Sequence, residues 1–211
     1  QVFLSDAKSF LKGKRLFLDH SFRINSKDAN NNLFITHQLN YEHKFFEYNQ
    51  ASLNSEIGTG TGAFKRFGDV SSDAITKIND HTRYDRLYNK VGAIYENKTL
   101  GKFQFFIENF NYKYFYKLVQ TVGSVTFPNQ LKATINSIGG QYEYRKNKWN
   151  GKAMLSNSIS TQAFRNFDAN LDYQINDKNK VSFQYQNISK LPNFNYILNQ
   201  SAYINYTWLN N

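Results

Sequence analysis

Between residues 32 and 49 the chain reads NLFITHQLNYEHKFFEYN, and parity separates it into two sequences of opposite character. Leu33, Ile35, His37, Leu39 and Tyr41 make one set; Phe34, Thr36, Gln38, Asn40, Glu42 and Lys44 make the other. A period of two is that of a β-strand with one apolar and one polar face. The alternation recurs in Leu16, Leu18, His20, Phe22 and Ile24, in Leu87, Val91, Ala93 and Tyr95, and in Phe103, Phe105 and Ile107. It returns in Leu131, Ala133 and Ile135, in Trp149, Ala153 and Leu155, in Phe167, Ala169, Leu171, Tyr173 and Ile175, and in Val181, Phe183 and Tyr185. Within 102–116 and 131–144 the apolar positions change phase midway, which predicts a β-bulge in each. Strands are expected over 14–25, 31–48, 84–96, 102–116, 130–144, 149–159, 167–175, 181–188 and 202–209. That is about nine strands, each near the ~9–11 residues that cross a bilayer when tilted.

The connections carry a second pattern. Short segments (26–31, 97–101, 145–148, 176–180) alternate with longer ones (50–82, 117–129, about 160–166, 189–200). Outer-membrane barrels have tight turns at one end and long loops at the other, whereas a Greek-key sandwich has no reason to keep this rhythm. Pairing across the short turns sets Phe22 opposite Ile35 and Leu18 opposite Leu39, Ala93 opposite Phe105 and Val91 opposite Ile107, and Tyr173 opposite Phe183 and Leu171 opposite Tyr185. Apolar meets apolar each time, so the expected fold is all-β: an antiparallel meander of hairpins, 1–211 forming a single partial barrel domain.

Composition sharpens this. Aromatics make up 17% of the chain while mean hydropathy is only −0.64. A transmembrane β-barrel needs both at once: a lipid-facing apolar stripe with aromatic girdles, and a polar lumen and loops. The chain has no cysteine, which excludes disulfides, thiolate metal sites and cysteine nucleophiles. No apolar run is long enough for a membrane-spanning helix, and no basic-then-apolar signal segment opens the chain, which is read as mature, processed or a piece. The net charge of +10 admits anionic lipid, lipopolysaccharide or anionic solutes. Its dispersal along the chain argues against a basic nucleic-acid tail, so nucleic acid is not an expected partner.

On these grounds Thr36, Gln38, Asn40, Glu42, Lys44, Lys90, Asp168, Asn170, Asp172 and Gln174 are expected to face a lumen. Leu16, Leu18, His20, Leu33, Ile35, His37, Leu39, Val91, Phe103, Phe105, Leu171 and Phe183 are expected to face lipid or a partner subunit.

LFLDHSF (16–22) followed by HQLNYEHKFFEYN (37–49), together with LPNFNYILNQSAYINYTWLNN (191–211), resembles the Putative porin family of Bacteroidetes outer-membrane proteins. The resemblance implies an outer-membrane β-barrel, serving as a pore or as a subunit of a larger complex, without catalytic residues. Family members are longer and bacterial barrels close with an even strand number, so these residues are expected to be a segment of a larger barrel.

Few motifs suggest chemistry. GTGTGAFKRFG (58–68) lacks the Gly-Lys-Ser/Thr ending of a phosphate-binding loop and the G-x-G-x-x-G spacing, and reads as an external loop. His20 and His37 fall opposite each other on the apolar face, with His43 farther along it. Such a pair could bind a metal or respond to pH, but the nearest acids, Asp19 and Glu42, point the other way, so no metal or cofactor is expected. A polar pair on an apolar wall instead suggests contact with another subunit. Asp168 and Asp172 lie roughly 13 Å apart along one strand, too far for the ~5–9.5 Å of glycosidase carboxylates, and no enzyme is expected. The clusters FFEY (45–48) and YKYFY (112–116), both near long loops, read as an aromatic girdle rather than as stacking platforms.

The expected function is passive diffusion of small hydrophilic solutes across a bacterial outer membrane. The alternatives are a non-conducting accessory subunit of an outer-membrane complex and a soluble carbohydrate-binding β-sandwich. A TonB-dependent transporter would need a plug domain that these residues do not show.

Overall fold

The computed structural model describes residues 7–25, 27–28, 30–51, 77–122, 124–190 and 192–210. Four long strands come first: β1 (Ala7–Arg23), β2 (Asn31–Gln50), β3 (Ile78–Asn97) and β4 (Gly101–Tyr116). A two-residue hairpin, β5 (Thr121–Val122) and β6 (Val125–Thr126), interrupts the next connection. Then come β7 (Gln130–Lys146), β8 (Trp149–Ser158), β9 (Arg165–Gln174) and β10 (Lys180–Ser189). The eight long strands form one antiparallel sheet in the order β1-β2-β3-β4-β7-β8-β9-β10, a pure meander. β1 pairs only with β2 and β10 only with β9, so the sheet is open, as part of a barrel is.

The predicted registers hold in two hairpins. Phe22 faces Ile35 and Leu18 faces Leu39; Ala93 faces Phe105 and Val91 faces Ile107. In the third the register lies two residues away from expectation: Tyr173 faces Val181, Leu171 faces Phe183, and Ala169 faces Tyr185. The turn explains the shift. Asn176 Oδ1 accepts from the amides of Lys178 (3.0 Å) and Asn179 (2.9 Å), and Ile175 donates its amide to Asn179. That closes the loop at Gln174 and Lys180. Slipping by two leaves every side chain on its own face, so the apolar matching survives. Elsewhere the turns use residues suited to them: Gly101 has φ of 96° and Asn147 has φ of 53°.

Three expectations fail. No bulge occurs in β4 or β7, whose pairing runs without a break from Lys102 opposite Glu143 to Phe115 opposite Gln130. The apolar positions change face while the backbone stays regular: Phe103, Phe105 and Ile107 lie on one face, Phe110, Tyr112 and Tyr114 on the other. Nor does 202–209 become a ninth strand of the sheet. After a helical turn α1 (Phe194–Ile197), β11 (Leu198–Asn199) pairs with β12 (Trp208–Leu209) across a 3-10 turn at Ile204–Tyr206. Ser201, Ala202 and Tyr203 are buried consecutively, unlike the strands of this sheet, which leave one face open. Finally, YKYFY is not a girdle: Tyr112, Tyr114 and Tyr116 share the face that carries Glu42 and Lys44, and Phe115 points the other way. The glycine-rich stretch 58–68 lies outside the described residues.

The segment 192–210 folds back over the loop-end half of one face. Ile78, Ala202 and Tyr203 form a small buried core there, with Tyr48 and Leu118 against it. Polar bonds fasten it. Asp80 accepts from Ser201 Oγ (2.5 Å) and the amide of Ala202 (2.9 Å), Tyr116 donates to the carbonyl of Leu198 (2.7 Å), and Gln120 Nε2 donates to that of Ser201 (2.6 Å). Phe194 stacks on Tyr112 with centroids 4.2 Å apart and lies 5.5 Å from Tyr84. Among the described residues nothing covers the opposite face, and no second sheet packs on it as a sandwich would require.

Candidate pore-lining face

The covered face holds the even positions of β2. Thr36, Gln38, Asn40, Glu42 and Lys44 stand in register with Gly92, Lys90, Tyr88, Arg86 and Tyr84 of β3. Following the pairing across β4, β7 and β8 places Asp168, Asn170, Asp172 and Gln174 of β9 on the same face. All residues expected to line a lumen therefore share one surface.

Its turn-end half is open and charged. Lys102 and Glu96 are 3.5 Å apart, Lys152 and Glu143 3.8 Å, and Lys180 and Asp172 3.5 Å. A hollow of about 850 Å³ opens there, lined among others by Asn32, Glu96, Lys102, Glu143, Lys152 and Asn170. Midway up the face Glu108 gathers a network: it accepts from Tyr88 (2.6 Å), Ser137 (3.0 Å) and Ser156 (3.3 Å), and Lys90 stands 3.7 Å away. The same lysine sits 3.7 Å above the ring of Phe106, a cation–π contact. Phe106 is only 4% exposed because its ring lies across Gly139, where a Cβ would come within 2.4 Å of it. Higher still, Glu42 binds Arg15 (2.7 Å), Lys44 (3.1 Å) and Arg86 (3.2 Å). Carboxylates and cations thus interleave along the wall, and Glu42, Glu96, Glu108, Glu143 and Asp172 each stand near a cation.

The bare face holds the other set. Leu16, Leu18, His20, Leu33, Ile35, His37, Leu39, Val91, Phe103, Phe105, Leu171 and Phe183 all lie on it. Phe105 is 70% exposed and Ile107, Phe183 and Leu16 are also open. An apolar surface of this extent is not left to water. Its outline is informative. The loop-side edge passes through Leu16, Tyr41 and Leu87, drops to Ile107 and Ile138, then to Leu155 and Phe167, and ends at Tyr185. Beyond it stand Lys14, His43, Asp85, Asn109, Asn136, Asn157, Arg165 and Asn187. Counted in register rows, this edge descends about 27 Å over about 34 Å of sheet, and the turn-side edge, from Leu33 to Val181, about half as far. The edges of the band thus make roughly 25–40° with the perpendicular to the strands, so strands crossing a flat membrane would tilt by that angle from its normal, close to the tilt of strands in a closed barrel. On β2 it measures about 27 Å along the strand from Leu33 to Tyr41, about 21 Å once tilted, near the ~25 Å of an outer-membrane band. Toward β10 it narrows.

The band also accounts for the missing bulges. β4 and β7 outlast it, so their outward residues turn polar (Asn109, Asn111, Lys113; Asn136, Thr134, Lys132). Their inward residues turn aromatic or aliphatic under the segment 192–210, as Tyr112, Tyr114, Leu131 and Ile135 do.

His20 and His37 face each other with ring centroids 5.7 Å apart, in a row completed by Val91, Ile107 and Ile138. His43 has a partner that sequence reading missed: Asp85, 2.7 Å from its Nδ1. Extending the pairing of Leu33 with Tyr95 up β2 and β3 would have found it. The carboxylates of Glu42 and Glu108 occupy separate networks two strands apart. Nothing in the alternation signalled the Phe106–Gly139 contact or the stacking of Phe194.

Compared with known proteins, the whole chain, residues 1–211, matches the model of one family, described as Putative porin. No curated protein and no solved structure matches it.

Proposed function

Because the chain belongs to the Putative porin family and is a porin-like outer-membrane β protein, we propose that its covered face lines an aqueous pore through which small hydrophilic solutes diffuse passively. The observation that carries this reading is the opposition of the two faces. One bears a tilted apolar band of membrane height; the other, at the same level, bears the charged hollow lined by Glu96, Lys102, Glu143 and Lys152. In hydrocarbon an open sheet edge is not tolerated, so the free edges of β1 and β10 meet further strands in the closed wall. Lumen charges set ion preference without doing chemistry, and the reading contains no catalytic step.

A second reading has its own support. The segment 192–210 occupies the loop-end half of the covered face, and the facing pair His20 and His37 interrupts the apolar band. Both suit an accessory subunit that does not conduct and meets another outer-membrane protein through the β1–β2 wall. Planar-bilayer recording of the full-length protein separates the two. Discrete conductance steps that fall when Lys102 and Lys152 are replaced by Glu for an anion, and rise for a cation, support the pore. A silent protein that integrates into the bilayer supports the accessory subunit.

A further inference from the structure

Above the apolar band the bare face carries a basic collar. Lys14, His43, Asp85, Lys113 and Lys132 form one row across β1, β2, β3, β4 and β7. Lys12, Phe45, Arg83 and Phe115 form the next. The one acid of these two rows, Asp85, is already held by His43 (2.7 Å) and Arg83 (3.1 Å). Lys113 and Lys132 are register partners, so two ammonium-bearing side chains stand directly side by side. Like charges so placed work against the pairing of the strands. Neither lysine makes an ion pair among the described residues; Lys113 lies 5.8 Å from the ring of Phe115. An anion shared between them would turn repulsion into attraction.

Beside this pair is an open hollow of about 470 Å³, lined by Tyr41, Leu87, Asn111, Lys113, Lys132 and Thr134 among others. The Thr134 hydroxyl donates to Asn111 (2.5 Å), and one row nearer the band Asn109 donates to Asn136 (2.6 Å). Going outward along β4 and β7, the order is therefore apolar side chains (Ile107, Ile138), amides and a hydroxyl, then cations. Six residues separate Ile107 from Lys113, about 20 Å along the strand and about 15 Å along the membrane normal at a tilt near 40°, while the band edge on the neighbouring strand, Leu87, lies one register pair below Lys113, about 7 Å along the strand. An ordinary phospholipid carries its phosphate directly above its acyl chains and would reach only the lower part of this span. A glycolipid whose sugars stand between acyl chains and phosphoryl groups would reach the whole of it.

We propose that this collar docks a phosphorylated glycolipid of the outer leaflet, lipopolysaccharide, with a phosphoryl group between Lys113 and Lys132, sugar hydroxyls against Asn111 and Thr134, and acyl chains on the band below. Lys12, Lys14 and Arg83 continue the positive strip toward β1. The proposal rests on the outward orientation of this face and is independent of whether the barrel conducts.

The test is native mass spectrometry of the full-length protein released from mild detergent, after delipidation and titration with lipopolysaccharide, its dephosphorylated form, or phosphatidylglycerol. Lipopolysaccharide should bind most tightly. K113Q/K132Q should weaken it roughly 30-fold, each cation near an anionic lipid surface being worth about fivefold. The exposed turn-end double variant K98Q/K178Q, with the same charge change, should leave it unaltered. Equal binding of phosphatidylglycerol, indifference to dephosphorylation, or full retention by K113Q/K132Q would overturn the glycolipid site while bound lipid still marked the face as outward. Failure to carry any lipid or detergent belt would overturn the outward orientation itself.

Discussion

Glu42 offers the sharpest test of how the covered face is held together. Its carboxylate is 5% exposed and joins three strands, binding Arg15 of β1, Lys44 of β2 and Arg86 of β3. Glu42→Gln keeps the volume and removes the charge, leaving three cations close together. The partners do not count equally. Arg15 and Lys44 are 62% and 51% exposed, so water screens them and each pair contributes no more than about 1 kcal/mol. Arg86 is 27% exposed and its Nε has no hydrogen-bond partner among the described residues, so its link to Glu42 approaches the buried case and is worth about 1.5–3 kcal/mol. The expected loss is about 2–4 kcal/mol. Guanidinium titration of protein refolded into lipid vesicles, followed by tryptophan fluorescence, would read it as a lower midpoint at unchanged slope. Pairing Glu42→Gln with Arg86→Gln in a double-mutant cycle isolates the decisive contact and should return a coupling of at least 1 kcal/mol. A loss below 0.5 kcal/mol, or no coupling to Arg86, would refute the reasoning and mean that the strands are held by backbone pairing and lipid alone.

Gly139→Ala should be strongly disruptive for a one-methyl change, because the added methyl would meet the Phe106 ring at 2.4 Å and the carbonyl of Leu155 at 2.6 Å. Its thermal unfolding in detergent should fall clearly, and Gly139→Ala combined with Phe106→Ala should recover only part of the loss, since the backbone contact remains. Asn176→Ala removes the acceptor of two turn amides and should cost about 1 kcal/mol, with amide exchange accelerating at Lys178 and Asn179. Asp80→Asn weakens the fastening of Ser201 and Ala202, so limited proteolysis should cut within 192–210 earlier than in the unaltered protein; unchanged cleavage would show that stacking of Phe194 suffices.

Much of this architecture was legible in the residues before any coordinates. The period of two gave the strands, the short turns gave the hairpins, and matching of apolar positions put Phe22 opposite Ile35 and Val91 opposite Ile107. These are local properties: parity assigns each side chain to a face, and a turn of a few residues leaves little freedom in register. Where local information was degenerate, it failed. Registers that differ by two residues present the same faces, and the hydrogen bonds of the turn, those to the Asn176 side chain above all, chose between them in the last hairpin. What each face meets along its length is not local at all. The reversal of apolar character within β4 and β7 looks like a bulge in the sequence because a one-residue insertion and a change of surroundings produce the same string. Tertiary structure separated them: the strands outlast the apolar band, and the segment 192–210 returns from the far end of the chain to cover Tyr112, Tyr114 and Tyr116. The sequence by itself determined an antiparallel sheet with two opposed faces, because alternation and turns are written residue by residue. Only the fold decided how high the apolar band reaches, how it slants, and which half of the other face stays open to water, because those depend on contacts between residues far apart in the chain.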